Sequence, residues 1–287
     1  TVDTVLSYSW SPGTGLDDTT IANPIASPDT TTQYILTVTD VNGCSDTASV
    51  TIFLNTFDFP SGLTISSDTT WNEVNYKFGD PLFITNNATF NVFNSILEFK
   101  FLGGDELGFF GNIIIDKGAK MFIDTNTVIS GICDEMFGTI SIIGDHRREG
   151  LPNWQGTLEI KNNAIIEDAH IAIQFIDSVG FPSGGGILKA NNATFRNNRV
   201  SIKFNPYQHK SISSKISNCI FECTGPLKDT NFYNGEGIDA FIILNRVRKV
   251  HIDGNIFRNK GTFTINKRGA GIRSYNTTEH SNHIITN

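Results

Sequence analysis

The sequence is poor in charge, in methionine and in the residues that build helices. Of its 287 residues only 18% are charged and only 2 are Met. No long stretch combines Leu, Ala, Glu and Lys as a helical segment would, which excludes a mainly helical fold. The 22 Phe, the 26 Gly and the many Thr, Ile and Asn suit pleated strands and tight turns instead. The composition therefore predicts an all-β protein.

Positive charge is also in short supply. The chain has 22 Lys and Arg against 29 Asp and Glu, a net charge of −7, whereas nucleic-acid binding depends on basic surface. It also lacks any apolar run of about 18 residues, the length that crosses a bilayer. We predict no nucleic-acid partner and no transmembrane segment. Because residue 1 is Thr and no signal peptide precedes it, we expect a piece of a longer polypeptide with flanking domains.

Cysteine is too scarce to form a disulfide framework. The four cysteines are Cys44, Cys133, Cys219 and Cys223, and most of them lie far apart. Cys219 and Cys223 are close in sequence, but no His stands near them at zinc-site spacing. They could be apolar core cysteines, a local disulfide or part of a metal site. Cysteine usage therefore leaves the compartment undecided.

The first 54 residues have the pattern of antiparallel strands. Apolar residues alternate over residues 34–38, which is the period of a half-buried strand. Asn42-Gly43 then predicts a hairpin turn, since both residues tolerate positive φ. A return strand follows over residues 48–53.

Specific motifs of this segment resemble the PKD-like immunoglobulin-type domains of large bacterial surface proteins. The matching strings are Tyr8-Ser9-Trp10-Ser11-Pro12, Asn23-Pro24 with Ser27-Pro28, Thr32-Gln33-Tyr34 and Asn42-Gly43-Cys44. Immunoglobulin-like domains need about seven strands in roughly 100 residues. The resemblance therefore implies that residues 1–55 are part of an immunoglobulin-like β-sandwich.

The remainder contains a repeat of 18-residue segments. Residues 82–99, 113–130, 158–175 and 187–204 overlay without gaps, and degenerate copies follow at 215–221 and 251–257. The overlay predicts one column of small residues and, two residues further on, one column of large apolar residues. The small column is Ala88, Ala119, Ala164 and Ala193, and the large column is Phe90, Met121, Ile166 and Phe195.

Such columns predict a solenoid. Short apolar strands cannot bury their faces alone, so successive coils must stack into one core. The alanines are 31, 45 and 29 residues apart, and we expect the longest interval to hold an extra coil containing residues 139–143. The predicted fold of residues 56–287 is a parallel β-helix that is truncated at its C-terminal end.

The repeat resembles secreted right-handed parallel β-helix proteins of gliding, polymer-degrading bacteria, which are often exported by type IX secretion. The resemblance covers about residues 71–257 and rests on three strings. They are Gly118-Ala119-Lys120-Met121-Phe122-Ile123-Asp124, Gln155-Gly156-Thr157-Leu158-Glu159-Ile160-Lys161 and Asn192-Ala193-Thr194-Phe195-Arg196-Asn197-Asn198. It implies right-handed winding and an extracellular or outer-cell-surface location.

Two groups of polar residues are candidates for chemistry. Glu167 and Asp168 stand opposite Arg196 and Asn197 one coil on, which is typical of an exposed cross-strand ion pair. The second group is Glu236, Asp239, Arg246, Arg248, His251 and Asp253.

The second group would serve a polysaccharide lyase or glycoside hydrolase. Arg248 and His251 could act as base and acid, and Asp239 and Asp253 could hold a calcium ion. Their spacing gives no assurance that these side chains face one groove. We therefore predict no resident cofactor, and we keep the carbohydrate-active enzyme as the alternative function.

Aromatic residues in loop-like sequence favour binding over turnover. They are Trp154, Tyr207, Phe232, Tyr233 and Tyr275. Exposed rings of this kind can stack on sugars without a convergent acid–base pair. We predict a non-catalytic extracellular or cell-surface module for adhesion or polysaccharide binding; a purely structural spacer is a third reading.

Overall fold

The structure is a computed structural model, and its description starts at Val5. Described are residues 5–52, 54, 57–101, 112–132, 135–145, 148, 151–177, 184–206, 214–228, 238–247, 249–260, 270–275 and 284–286. Within these residues all regular structure is β except one 3-10 turn, η1 (Pro152–Trp154). The chain divides into two units, residues 1–56 and residues 57–287. Antiparallel strands in the first and parallel coils in the second confirm the predicted fold class.

The first unit contains one antiparallel sheet in the order β1-β2-β3. Its strands are β1 (Val5–Ser11), β2 (Thr32–Asp40) and β3 (Ser45–Ile52). Tyr34 is the buried anchor of this unit, only 1% exposed. Its hydroxyl donates to the carbonyl oxygen of Thr14 at 2.7 Å, so the one polar atom of the buried ring is satisfied.

The turn between β2 and β3 follows the predicted Asn-Gly chemistry. Gly43 has a φ of +82°, which glycine adopts without steric cost. Asp40 Oδ1 accepts the backbone N–H groups of Asn42 and Cys44, each at 2.8 Å. The aspartate therefore closes the turn from its side chain.

The second unit winds through three parallel sheets, and each turn of the chain adds one strand to every sheet. The first sheet contains β4 (Leu63–Ile65), β7 (Leu82–Ile84), β10 (Ile113–Ile115), β13 (Ile140–Ile143), β16 (Ile171–Ile176), β19 (Val200–Phe204), β22 (Ala240–Leu244) and β25 (Ala270–Ser274). The second sheet contains β5 (Thr69–Asn72), β8 (Thr89–Phe93), β11 (Lys120–Asp124), β14 (Thr157–Lys161), β17 (Ile187–Asn191), β20 (Lys215–Ser217), β23 (His251–Asp253) and β26 (Ile284–Thr286). The third sheet contains β6 (Asn75–Phe78), β9 (Ile96–Phe99), β12 (Val128–Gly131), β15 (Ile165–Glu167), β18 (Thr194–Arg196), β21 (Ile220–Cys223) and β24 (Ile256–Asn259). This is a parallel β-helix.

The corner between the second and third sheets is built on left-handed residues. Two positions before each third-sheet strand the backbone has a φ between 46° and 66°. The residues are Glu73, Asn94, Asn126, Asn163, Asn192, Asn218 and Gly254. Asn and Gly tolerate this conformation better than other residues, which explains why asparagine recurs in the sequence.

Two asparagine side chains, the buried Asn198 and the partly buried Asn255, tie successive coils together. Asn198 donates from Nδ2 to the carbonyl oxygen of Ile166 at 2.9 Å and accepts the N–H of Ala169 at 2.9 Å. Asn255 repeats the arrangement with the carbonyl of Ile216 and the N–H of Cys219. Each amide satisfies backbone groups that the corner would otherwise leave buried without partners.

Inward side chains of equivalent strands form continuous columns in the core. In the third sheet Phe195, Phe221 and Phe257 stack, with ring centroids 4.8 and 5.1 Å apart. Phe175 and Phe204 stack in the same way in the first sheet at 4.5 Å. Parallel strands in register place identical side chains above one another, so aromatic rings stack along the axis.

The burial of the four alanines is confirmed, but their single column is wrong. Ala88, Ala119, Ala164 and Ala193 are each at most 3% exposed. The first two precede second-sheet strands and the last two precede third-sheet strands, so they form two columns. The large residues form two columns as well, Phe90 and Met121 in the second sheet and Ile166 and Phe195 in the third.

Met121 pairs with Phe90 on one side and with Leu158 on the other. Ile166 pairs with Phe195 in a different sheet. The corner before each second-sheet strand and the corner before each third-sheet strand carry the same pattern of a small residue followed by a strand. The sequence overlay could not separate these two corners for that reason. The predicted parallel pairing is confirmed. The large residues, however, belong to two ladders in different sheets and not to one.

The prediction of an extra coil containing residues 139–143 is also wrong. β13 is the first-sheet strand of the coil that continues into β14 and β15, and it pairs with β10 and β16. The 45-residue interval consists of one coil of 37 residues, from Met121 to Leu158, and the 8-residue step to the next sheet. A long excursion between β13 and β14 makes this coil longer than its neighbours.

The described residues of β24 are less well packed than those of the earlier third-sheet strands. All four residues of β24 are exposed, and Phe257 itself is 37% exposed although its ring belongs to the inner stack. In the described part of the chain β25 and β26 extend the first and second sheets by one more coil, while β24 ends the third sheet.

We expect Ala164→Glu to lower the free energy of unfolding by about 3–5 kcal/mol, because it buries a charge with no partner. Thr194→Glu on the outer surface of the adjacent coil is the control, and it should change stability by about 0.5 kcal/mol or less. Urea titration followed by circular dichroism measures both. Equal losses would contradict the placement of Ala164 in the core.

A second prediction concerns the asparagine corner. Asn192→Gly should be close to neutral, whereas Asn192→Val should cost about 1–2 kcal/mol because a β-branched residue is strained at positive φ. Equilibrium unfolding of the two variants isolates the backbone effect, since both remove the side-chain amide. A valine variant as stable as the glycine variant would be evidence against the left-handed corner.

Candidate functional site

Alternate residues of the second sheet point away from the core and form two outer rows. The first row is Thr70, Asn91, Phe122, Glu159, Lys189, Lys215 and His251. The second row is Asn72, Phe93, Asp124, Lys161, Asn191, Ser217 and Asp253. Neighbouring strands lie about 4.8 Å apart, so polar groups of successive coils can act on one ligand.

A shallow groove of about 480 Å³ crosses this outer face over β14, β17 and β20. We call it the lysine groove. Its polar lining consists of Glu159, Lys161, Lys189, Asn191, Lys215 and Ser217. Three lysines are thereby collected on one face of a chain whose net charge is −7.

The charges of the groove are unevenly paired. Lys161 Nζ lies 3.5 Å from a carboxylate oxygen of Asp124 and 3.5 Å from one of Glu159. Among the described residues Lys189 has one acidic partner, Glu159 at 3.9 Å, and its side chain is 59% exposed. In the described part of the chain Lys215 makes no ion pair. Negative charge therefore lies at the β11–β14 end, and positive charge is in excess at the β17–β20 end.

Asp124 is held in its ionised form. Desolvation alone would raise the pKa of this carboxyl, but hydrogen bonds from Asn162 and Thr125 and the charge of Lys161 outweigh it and lower the pKa. Asn162 Nδ2 donates to Asp124 Oδ1 at 2.7 Å. The carboxylate thus persists at neutral pH and keeps Lys161 engaged.

Asn191 lies two residues after Lys189 on β17, in register with Ser217, and its side-chain oxygen is already occupied. Its Oδ1 accepts hydrogen bonds from Ser217 Oγ at 3.1 Å and from Asn218 Nδ2 at 3.2 Å. The remaining capacity of this amide is that of a donor, its Nδ2. The groove consequently presents ammonium and amide donors side by side.

Two phenylalanines extend the same face beyond the groove. Phe122 is the in-register neighbour of Glu159, and Phe93 is the neighbour of Asp124. Both side chains are partly exposed, although core positions of these strands are fully buried. Apolar rings beside a few directed polar groups are the usual make-up of a binding surface.

The two predicted catalytic residues within the described ranges, Asp239 and His251, lie in or beside different sheets. Asp239 precedes β22 and pairs with Arg273, whose Nη1 lies 2.8 Å from its carboxylate. His251 begins β23 in the next sheet. Eleven residues of the chain, β22 and the corner that follows it, lie between Asp239 and His251. Glu236 and Arg248 lie outside the described residues, so their placement stays a prediction.

The described residues do not form the calcium site suggested by Asp239 and Asp253. Asp253 ends β23 on the outer face of the second sheet, while Asp239 stands at a corner of the first. Nowhere in the described ranges do three His, Cys, Asp or Glu side chains gather as a metal site would require.

The predicted binding aromatics share no single surface in the described chain. Trp154 lies in η1 with the Arg148 guanidinium 3.6 Å from its ring centroid and Lys117 Nζ at 5.6 Å, so protein cations already occupy it. Tyr275 follows β25 and is 50% exposed. Tyr207, Phe232 and Tyr233 lie outside the described residues.

The predicted ion pair between Glu167 and Arg196 is confirmed. Arg196 Nη1 lies 3.2 Å from Glu167 and its Nε lies 2.9 Å from Glu222, on the outer face of the third sheet. Desolvation, aided by the charge of Asp168, raises the pKa of Glu167. Asp168 itself pairs with Lys228 at 2.8 Å. These paired charges stabilise the stacked coils and leave no acid poised for chemistry.

The described cysteines are free thiols, and two of them belong to the core. Cys219 and Cys223 are fully buried, whereas Cys44 is exposed. Burial raises the pKa of Cys219 to about 11 and also raises that of Cys223. Of the three readings left open by the sequence, the structure supports apolar core cysteines. Cys133 lies outside the described residues.

Comparisons of the chain with protein-family models, with curated proteins and with solved structures found no match. Among the described residues no helix is long and apolar enough to span a bilayer. The assignment of a function therefore rests on the geometry of the outer face of the second sheet.

Sequence reasoning missed the lysine groove because it looked to loops for function. The signal was present in the alternation Leu158-Glu159-Ile160-Lys161 and Leu188-Lys189-Ala190-Asn191. The gapless overlay set Leu158 against Ile187, but the structure pairs it with Leu188. That one-residue shift moves the polar side chains out of their common row.

We expect Cys44 to react rapidly with a thiol reagent near pH 8 while Cys219 and Cys223 react only after unfolding, because buried thiols stay protonated and inaccessible. The measurement is a reagent titration of a Cys133→Ser variant with and without denaturant. Rapid reaction of more than about one thiol in native protein would show that the core cysteines are accessible.

Proposed function

We propose that this chain is a non-catalytic extracellular or cell-surface module that binds a polysaccharide along the outer face of the second sheet. The observation that carries the proposal is the lysine groove, an open channel lined by charged, amide and hydroxyl groups of three successive coils. An open surface of repeated polar groups suits an extended polymer better than a small molecule, which a deep apolar pocket would bury.

The neighbouring rings support a sugar ligand. Phe122 stands next to Glu159 on the same face, so an apolar surface adjoins the hydrogen-bonding groups. Sugar rings present both an apolar face and a rim of hydroxyls, and such a mixed surface matches both. Adhesion then follows if the bound polymer is anchored to another surface.

The arrangement of acids and bases supports binding over turnover. Glycosidic cleavage needs an acid and a base positioned on one bond. Asp239 is paired with Arg273 and directly precedes a first-sheet strand, whereas His251 begins a second-sheet strand. The acids beside the groove, Asp124 and Glu159, are each paired with lysine. The carbohydrate-active enzyme therefore stays the less favoured alternative.

The N-terminal unit bears on location. Its motifs resemble PKD-like domains of bacterial surface proteins, and its three-stranded antiparallel sheet is compatible with part of such a domain. Together with the resemblance of the coils to exported β-helix proteins, this supports the extracellular assignment.

Blocking the groove tests the proposal. Asn191→Trp places a bulky ring in the groove beside the Lys189–Lys215 pair, and it should abolish retention on immobilised polysaccharides in affinity electrophoresis. Thr194→Trp, on the outer face of the third sheet, is the matched control and should bind like the native protein. Absence of binding by the native chain to a panel of neutral and acidic polysaccharides, or full binding by Asn191→Trp, would refute the site.

The same panel checks catalysis. We expect no new reducing ends and no unsaturated products on prolonged incubation, with or without calcium, because cleavage needs a positioned acid and base and Asp239 is instead paired with Arg273. Cleavage that disappears in Asp239→Ala or His251→Ala would establish the enzyme instead.

A further inference from the structure

We infer that the lysine groove contains an anion-binding subsite formed by Lys189, Lys215 and the side-chain amide of Asn191. The ligand would then be a polysaccharide that carries carboxylate or sulfate groups. This inference rests on the proposed function and specifies the class of polymer.

The two lysines are juxtaposed without enough negative charge to neutralise them. Lys189 and Lys215 pair in register on β17 and β20, which puts their backbones about 4.8 Å apart. Like charges directly opposite each other across a strand pair are destabilising. Among the described residues Glu159 is the one acidic partner of Lys189, at the long distance of 3.9 Å, and it also pairs with Lys161. An anion between the two ammonium groups would remove this repulsion.

Asn191 supplies a neutral donor at the same place. Ser217 and Asn218 both donate to its Oδ1, which fixes the amide and leaves Nδ2 as its unused hydrogen-bonding group. A carboxylate or sulfate has several acceptor oxygens and can receive hydrogen bonds from two ammonium groups and an amide together. The subsite therefore matches a multidentate anion better than a neutral hydroxyl.

The charge around the subsite favours a polymer with separated anionic groups over a nucleic acid. Glu159 lies one coil from Lys189 and two from Lys215, and Asp124 lies one coil further, so a continuous phosphate backbone following the groove would meet both acids. Nucleic-acid binding also gains its affinity from many basic contacts, whereas this groove offers three lysines, one of which lies between two carboxylates. A sugar polymer can place its neutral hydroxyls or its ring faces at the acidic end.

The test uses the full chain and a pair of ligands that differ only in charge. Calorimetry compares oligogalacturonate with its methyl ester, and dextran sulfate with dextran; a single-stranded DNA oligonucleotide is added as a polyanion of another class. The variants are Lys189→Gln with Lys215→Gln, and Lys189→Arg with Lys215→Arg. A charge-matched control, Lys77→Gln with Lys100→Gln, changes lysines in and directly after third-sheet strands.

We expect at least one acidic ligand to bind roughly tenfold tighter than its neutral counterpart, with an affinity that falls as salt is added. The double glutamine variant should lose that advantage and keep the neutral affinity. The double arginine variant and the third-sheet control should retain it. A preference for oligogalacturonate assigns a carboxylate, and a preference for dextran sulfate assigns a sulfate.

The remaining outcomes separate two failures. Equal binding of the acidic and neutral forms, or an acidic preference that survives in the glutamine variant, overturns the subsite and leaves polysaccharide binding intact. Binding of no polysaccharide overturns both proposals. DNA binding that is as tight as acidic-polymer binding and equally dependent on the two lysines overturns the polymer class.

Discussion

Parallel hydrogen bonding between successive coils is the constraint on which the rest of the second unit depends. Each short strand finds its backbone partners one coil away and none within its own coil, so no coil can hold its shape alone. Register is therefore shared along the whole solenoid. Left-handed residues form the corners between the second and third sheets. At two corners the amides of Asn198 and Asn255 also hydrogen-bond to the backbone of the preceding coil.

Shared register turns a position in one coil into a column that runs along the axis. Inside, a column of apolar residues becomes a stack, as with Phe195, Phe221 and Phe257. Outside, the same rule converts single lysines of β17 and β20 into a pair of adjacent charges. The stack stabilises the fold because it excludes water, while the lysine pair leaves charge for a partner to neutralise. The core and the outer charged face thus arise from one geometry.

The charged rows on the outer faces of the second and third sheets differ in how completely their charges are paired within the chain. On the third sheet, Arg196 lies between Glu167 and Glu222, and the charges satisfy one another within the chain. On the second sheet, Lys161 is similarly held between two carboxylates, but Lys189 and Lys215 exceed the acids near them. A balanced row acts mainly on stability, and an unbalanced row can gain free energy from a ligand.

The sequence by itself determined the β class, the stacked coils, the hairpin at Asn42-Gly43, the burial of the repeated alanines and the pairing of Glu167 with Arg196. These follow from composition and from short-range periodicity. Only the tertiary structure decided which strands share a sheet. The corner after β14 contains Asn162 and Asn163 where the next coil has Asn192 alone. Because side chains alternate with a period of two, that extra residue reverses which face an overlaid strand presents, and it hid the lysine groove from the sequence.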